Sequence, residues 1–341
     1  MKTFRQDIWE QGEYNYAAAY GFMPNIRAFL HDDDEERECM IVVPGGGYCM
    51  CTPHEGEVAA KEFYERGMNT FVLVYTTDIT FSIPLKHQPM EDLSRAVRLV
   101  RKNAKEYHIN PNKLVVCGFS AGGHVCASLC THFEEIQDKN PAYADISNRP
   151  DASILSYPVI TAGEKTHIYS VWALVGQNAP QEEIDYFSCE KQVKDNTPPA
   201  FLWQTQNDEL VPVENSYLYA QALRAKNIPF AHYVFPSGFH GLTVANKAFF
   251  DGKAGGDYSM EQVIKAVDAV RNDKGVNVSE TRKKELIEQF KDMPPADEVE
   301  GKEKPEEEKA PNPAFVINPA DFADVSLWPE MAQIWMKRLF K

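Results

Sequence analysis

Three observations in the sequence predict an α/β protein with a mostly parallel central sheet and helices on both faces. Short aliphatic runs recur along the chain, apolar at nearly every position, as strands buried on both sides require. Between them lie stretches whose apolar residues recur at helical spacing, which suits crossovers between parallel strands. The chain has 341 residues, 43% hydrophobic and 11% aromatic, enough for one large core with insertions.

Taken in order, CMIVV (39–43) predicts the first strong strand, HEGEVAAKEFYERG (54–67) a helix and NTFVLVY (69–75) a second strand. MEDLSRAVRLVRKNAKEY (90–107) predicts a helix that turns Leu93, Ala96, Val97 and Val100 toward the sheet. KLVVCGF (113–119) and GGHVCASLCTHF (122–133) follow as strand and helix. ASILSYPVI (152–160), PPAFLWQTQ (198–206) and FAHYVFP (230–236) read as strands, with a helix at ENSYLYAQALRAKN (214–227). The last helix, LWPEMAQIWMKRLF, places Trp328, Met331, Trp335 and Leu339 on one side, a stripe for packing rather than a cofactor box.

Residues 251–312 break this rhythm and are read as an insertion into a domain made of 1–250 and 313–341. SMEQVIKAVDAVRN and SETRKKELIEQF predict two helices. DMPPADEVEGKEKPEEEKAPNP is acidic, proline-rich and without aromatics, as expected of an exposed linker or loop. The insertion leaves the chain close to His240, so it is expected either to cover the cleft as a lid or to decorate the periphery.

A net charge of −15 argues against nucleic acid and against an anionic membrane surface, both of which need clustered Lys and Arg. Neutral or cationic small molecules stay open. The first residues, MKTFRQDIWEQGEYNY, lack the apolar core of a secretory leader, and no stretch is long enough to span a bilayer. Seven cysteines without regular spacing fit a reduced, cytoplasmic setting. Cys126 and Cys130, with His132 nearby, read as core residues, and Cys49 and Cys51 as small loop residues. No metal site is expected.

GFSAGGH (118–124) carries the chemistry. A hydroxyl attacks an acyl carbon at neutral pH only with a base in hydrogen-bond reach, and it must project into a cleft. G-x-S-x-G does this where a strand turns sharply into a helix, and KLVVC and GGHVCASLC supply that context around Ser120. The base is expected on a loop after a later strand, with an orienting acid between the two in sequence. His240, in the Gly-flanked loop of FPSGFHGL, fits the base, whereas His232 lies inside the strand as a structural histidine. The acid is Asp208 or the adjacent Glu209, after the strand in AFLWQTQNDELVP. A shorter acid on the strand-end turn suits imidazole orientation, which favours Asp208. An oxyanion needs donors, and PGGGY after the first strong strand offers glycine N–H groups that join that of Ala121. His54, His87, His108, His124 and His167 are read as surface or helix-end residues without a role.

At these residues the sequence resembles the α/β-hydrolase superfamily, and within it the acetyl xylan esterase-like (carbohydrate esterase) branch, related to hormone-sensitive-lipase-like esterases. The resemblance rests on PGGGY, HEGEVAAKEFYERG, PMEDLSRAVRLVRKNA, INPNKLVVCGFSAGGH, SYPVI, TPPAFLWQTQNDELVPVENS and FPSGFHGL, and covers about residues 38–245 and the final helix. It implies a Ser120–His240–Asp208 triad with Gly46 and Gly47 as oxyanion donors. Pro44 stands where lipase-like relatives have histidine. The resemblance implies a serine esterase, without cofactor, acting on short acyl esters of carbohydrates or similar alcohols. Two other readings stand beside it: a prolyl-oligopeptidase-like peptidase, and a catalytically silent binding protein. Pocket-lining side chains are expected from the loops at 48–54, 77–88 and 160–190.

Overall fold

The aliphatic runs form strands and the periodic stretches form helices in a computed structural model that describes residues 1–253, 255–296 and 318–341. The strands are β1 (Lys2–Asp7), β2 (Asn25–Leu30), β3 (Arg37–Val43), β4 (Asn69–Val74), β5 (Ile109–Phe119), β6 (Ala152–Ser156), β7 (Ala200–Thr205) and β8 (Phe230–Phe235). They make one sheet in the order β1-β2-β4-β3-β5-β6-β7-β8. From β3 to β8 every pairing is parallel, whereas β1 on β2 and β2 on β4 are antiparallel. The expected mostly parallel sheet is therefore present. The two antiparallel edge strands escape the sequence reading because Arg27 interrupts the apolar run of β2, and β1 is exposed at alternate positions.

The helices are α1 (Pro53–Glu65), α2 (Gln88–Lys102), α3 (Ala121–His132), α4 (Pro141–Ala144), α5 (Ile168–Val175), α6 (Gln181–Tyr186), α7 (Glu214–Ala225), α8 (Lys247–Phe250), α9 (Glu261–Arg271), α10 (Glu280–Gln289) and α11 (Trp328–Leu339). α2 stops before the predicted end at 107, where the Asn103 side chain turns back to donate to the Leu99 carbonyl.

Alternation along the strands sorts the core onto two faces. Ile41, Val43, Leu73, Leu114 and Val116 pack with Leu93, Ala96, Val97 and Val100 of α2, and with α3 and α7. Met40, Val42, Val72, Val115 and Cys117 pack with Val58 and Phe63 of α1 and with α11. In α11 the fully buried residues are Trp328, Ala332 and Met336, and Met331, Trp335 and Leu339 lie half-covered beside them. The predicted stripe thus packs against the sheet, with Trp328 at the centre of the buried face and the other three residues on its shoulder.

Within the insertion, α9 and α10 build a third, smaller core. Val263, Val267, Val270 and Leu286 close over Ile79, with Tyr20, Cys49 and Met50 packed against them. The acidic run expected to be a linker falls largely outside the described residues. No helix among the described residues is long and apolar enough to cross a membrane.

Candidate active site

Strand register brings the site together. Val43 pairs with Gly118 and Phe119 with Ser156, so β3, β5 and β6 end level. Thr205 pairs with Phe235, which sets the loops after β7 and β8 side by side. Ligands of open α/β sheets bind outside these carboxyl ends.

Ser120 forms the corner between β5 and α3, with φ 51° and ψ −119°. A residue with a side chain holds such a conformation only against about 1–3 kcal/mol of strain, and the surroundings must enforce it. Here the Ser120 N–H donates to the Ser156 carbonyl (3.0 Å) and the Ser120 carbonyl accepts from the Val159 N–H (3.0 Å). The flanking glycines are required by close approach. A Cβ on Gly118 would lie 2.3 Å from the Gly122 carbonyl oxygen, and one on Gly122 would lie 2.1 Å from that of Val43.

His240 and Asp208 arrive from the turns after β8 and β7. The Ser120 hydroxyl donates to His240 Nε2 (2.9 Å), and His240 Nδ1–H donates to Asp208 Oδ2 (2.8 Å). The second Asp208 oxygen accepts from the N–H groups of Leu210 (3.0 Å) and Val211 (2.9 Å). The Asp208 side chain has no exposed surface, so its charge is held in place by donors rather than by water. Glu209 takes the other end of the same residue: its carboxylate accepts from the backbone N–H of His240 at 3.3 Å. The two loops are tied further by Thr205 Oγ1–H to the Gly238 carbonyl (2.8 Å) and by Gly238 N–H to Asn207 (2.9 Å). The Trp328 indole of α11 adds a bond to the Thr243 carbonyl (2.8 Å).

Across the cleft, the PGGGY turn follows β3. Gly46, Gly47 and Tyr48 take φ values of 116°, 63° and 63°. The N–H groups of Gly46, Gly47 and Ala121 have no acceptor among the described residues. Gly45 N–H is already committed, to buried Glu55 (2.9 Å). The other Glu55 oxygen accepts from the Tyr157 hydroxyl (2.7 Å), and that hydroxyl in turn accepts from the Thr243 N–H (3.1 Å). The Tyr157 ring stands edge-on to His240, with centroids 4.8 Å apart. One buried carboxylate thereby joins the glycine turn to the histidine loop. Sequence reading misses Glu55 because it looks like one more polar position in an amphipathic helix.

His124 corrects an expectation. It is buried inside α3 rather than at the surface, and burial drops its imidazole to about 4. His124 Nε2–H donates to the Phe187 carbonyl (2.7 Å), so Nδ1 accepts from the Tyr48 hydroxyl (2.6 Å). Tyr48 thus fastens the glycine turn to the helix that carries Ser120. Its carbonyl also accepts from Asp78 N–H (2.9 Å), and the neighbouring Thr77 N–H donates to Gln262 of α9 (2.8 Å).

His167, given no role above, heads α5 beside the cleft. Its Cε1 lies 3.6 Å from where a Cβ of Gly47 would sit. Its imidazole is lowered by burial and then by the nearby His240, with Asp208 opposing. His232 bonds the Ser216 hydroxyl (3.0 Å) as a structural residue. Cys126 and Cys130 are buried in the core, as expected, with the Cys130 thiol pushed up to about 12 by burial. His132 beside them is buried too, within reach of the Tyr186 carbonyl (3.1 Å) and stacked on the Tyr186 ring. Cys51 is buried and Cys49 half-buried at the foot of the glycine turn.

Comparison with known proteins places the chain among carbohydrate-related hydrolases by sequence and fold similarity. Endo-1,4-beta-xylanase B of Butyrivibrio fibrisolvens is 66% identical over 270 residues, 79% of this chain and 42% of that protein. The acetylxylan esterase of Xylanibacter ruminicola is 33% identical over 223 residues, 63% of this chain and 42% of that protein. The chain therefore spans less than half the length of these two relatives. The crystal structure of the acetyl ester-xyloside bifunctional hydrolase from Caldicellulosiruptor lactoaceticus is similar at TM-score 0.66 and 38% identity, covering 71% of this chain and 89% of that one. The BD-FAE family model matches residues 29–223, more than half of the chain. On that match, carried by an eight-stranded sheet of the expected topology, the chain belongs to the BD-FAE family of α/β hydrolases.

Proposed function

We propose that this protein is a serine esterase that removes short acyl groups, chiefly acetyl, from acylated sugars or similar alcohols. One observation carries the reading: the unbroken hydrogen-bonded line Ser120–His240–Asp208 at the carboxyl edge of the sheet. The names of the relatives, an acetylxylan esterase, an acetyl ester-xyloside hydrolase and a xylanase, support this substrate class.

In this mechanism Ser120 Oγ attacks the acyl carbon while His240 Nε2 takes its proton. The carbonyl π electrons move to oxygen, and the N–H groups of Gly46, Gly47 and Ala121 receive that charge. Each such donor is worth roughly 3 kcal/mol in the transition state. The tetrahedral species collapses with loss of the sugar alkoxide, which takes the proton from His240. Water then loses a proton to the same ring and attacks acyl-Ser120, and the acid departs as Ser120 regains its proton. Asp208 holds the tautomer in which Nε2 is free to accept, and stabilises the imidazolium. The chemistry calls on no metal or cofactor.

Initial rates on aryl esters from acetate to octanoate, on acetylated xylo-oligosaccharides and on a prolyl amide test the reading. Acetate esters should be turned over fastest and the amide slowly or not at all. Preference for the amide would transfer the protein to the peptidase reading, and inertness toward every ester would remove the enzymatic one.

A further inference from the structure

We infer that the first turns of α5 form a sugar-stacking subsite beside the acyl centre, with His167, Tyr169 and Trp172 as its rings. Rings recur here at contact spacing. The His167 and Tyr169 centroids are 5.9 Å apart, and those of Tyr169 and Trp172 are 5.4 Å apart at 82°. The row starts next to the acyl centre, where both His167 and the Ser170 hydroxyl lie within 4 Å of a Cβ built on Gly47. Its middle ring is open to solvent: Tyr169 is 56% exposed and its neighbour Ile168 43%, with Trp172 half-buried beside it.

Large apolar side chains are left exposed at a cost in solubility, and next to a reactive centre they mark a contact surface for the part of the ligand that does not react. The polar tips of the row identify that part. His167 Nδ1 is tied to the Ser170 hydroxyl (2.8 Å), which fixes the ring, and no described residue bonds Nε2. Among the described residues nothing bonds the Trp172 indole N–H or the Tyr169 hydroxyl. Rings with unpaired polar edges suit a neutral ligand that offers apolar C–H faces flanked by hydroxyls, which describes a pyranose ring. Burial, and then the nearby His240, lower the His167 imidazole, so the row disfavours positive charge. An ester with an anionic alcohol part gains nothing from such a surface.

The inference deepens the esterase reading and rests on it for the acyl end of the ligand. The experiment separates the two. For wild type, Tyr169→Ala, Tyr169→Phe and Trp172→Ala, kcat/KM is measured on an acetylated xylotriose and on 4-nitrophenyl acetate. In parallel, unesterified xylotriose is titrated calorimetrically into the same proteins. Tyr169→Ala should lower the ratio of sugar-ester to aryl-ester kcat/KM about tenfold, through KM. It should weaken xylotriose binding by a similar factor, and Tyr169→Phe, which keeps the ring and loses only its polar edge, should restore most of both. Tyr169 is exposed, so this variant keeps the test valid if Trp172→Ala fails to fold. A ratio unchanged in Tyr169→Ala, or one lowered through kcat alone, would overturn the subsite. If wild type cleaves neither ester, the esterase reading fails, and the titration still decides: ring-dependent xylotriose binding upholds the subsite, and absence of binding rejects it.

Discussion

The carboxylate at 208 reaches the ring of His240, and the one at 209 reaches the same residue's backbone. Sequence alone favoured 208 as the orienting acid without excluding 209, because adjacent residues on a strand-end turn differ in direction more than in chemistry. The difference is measurable. Asp208→Asn should cost on the order of 10³–10⁴ in kcat, since an amide no longer holds the required tautomer. Glu209→Gln should cost less than about tenfold, because an amide oxygen still accepts from the His240 N–H. Equal losses in the two variants would contradict the assignment. His124 makes a prediction about stability. Its folded value of about 4 lies below its ordinary 6.5, so the unfolded chain takes up a proton that the folded protein refuses. The stability it contributes is present above pH 6.5 and is lost as the pH falls toward 4. The gap in Tm between wild type and His124→Gln should therefore narrow across that window, and a gap independent of pH would sink the account.

Among the elements, the glycine turn is the least self-sufficient part of the site. Three consecutive positive φ values are held by Glu55 through Gly45, by His124 through the Tyr48 side chain, and by Asp78 through the Tyr48 carbonyl. α9 stands behind the last of these: buried Gln262 bonds the N–H and carbonyl of Thr77, and Arg282 of α10 donates to the Ile79 carbonyl (2.8 Å). Gln262→Ala should lower kcat several-fold with KM nearly unchanged, because a loosened turn costs transition-state contacts more than ground-state ones. Steady-state kinetics on an aryl acetate would check this, and a pure KM effect would point instead to the lid expected as one alternative. What was readable here divides along a physical line. The candidates Ser120 and His240 stand in local patterns, a strand–turn–helix glycine motif and a Gly-flanked loop, so short stretches of sequence suffice to propose them. Glu55, Tyr157 and Gln262 act through partners 102, 102 and 185 residues away, and nothing in their own neighbourhoods distinguishes them from ordinary helix or strand-end residues.

For the molecule as a whole, largely apolar runs foretold β3 to β7 because burial on both faces leaves few polar positions to disguise them, and the aromatic run of β8 marked it although it lies half-covered at the sheet edge. The antiparallel edge, with one strand half in water, had no such signature. The same sheet places the three loops of the site at one edge, so the fold and the proposed chemistry stand on the same register of β3, β5, β6, β7 and β8. The relatives are more than twice as long as their shared segment, which makes activity of this chain by itself the decisive matter. The most direct measurement is labelling with a fluorophosphonate, followed by peptide mass spectrometry and an ester assay on the same sample. A single adduct on Ser120, with hydrolysis lost in step and with neither label nor activity in Ser120→Ala, is the expected result. Ester hydrolysis that persists at the wild-type rate in Ser120→Ala, or an adduct that forms elsewhere while Ser120 stays bare, would contradict it.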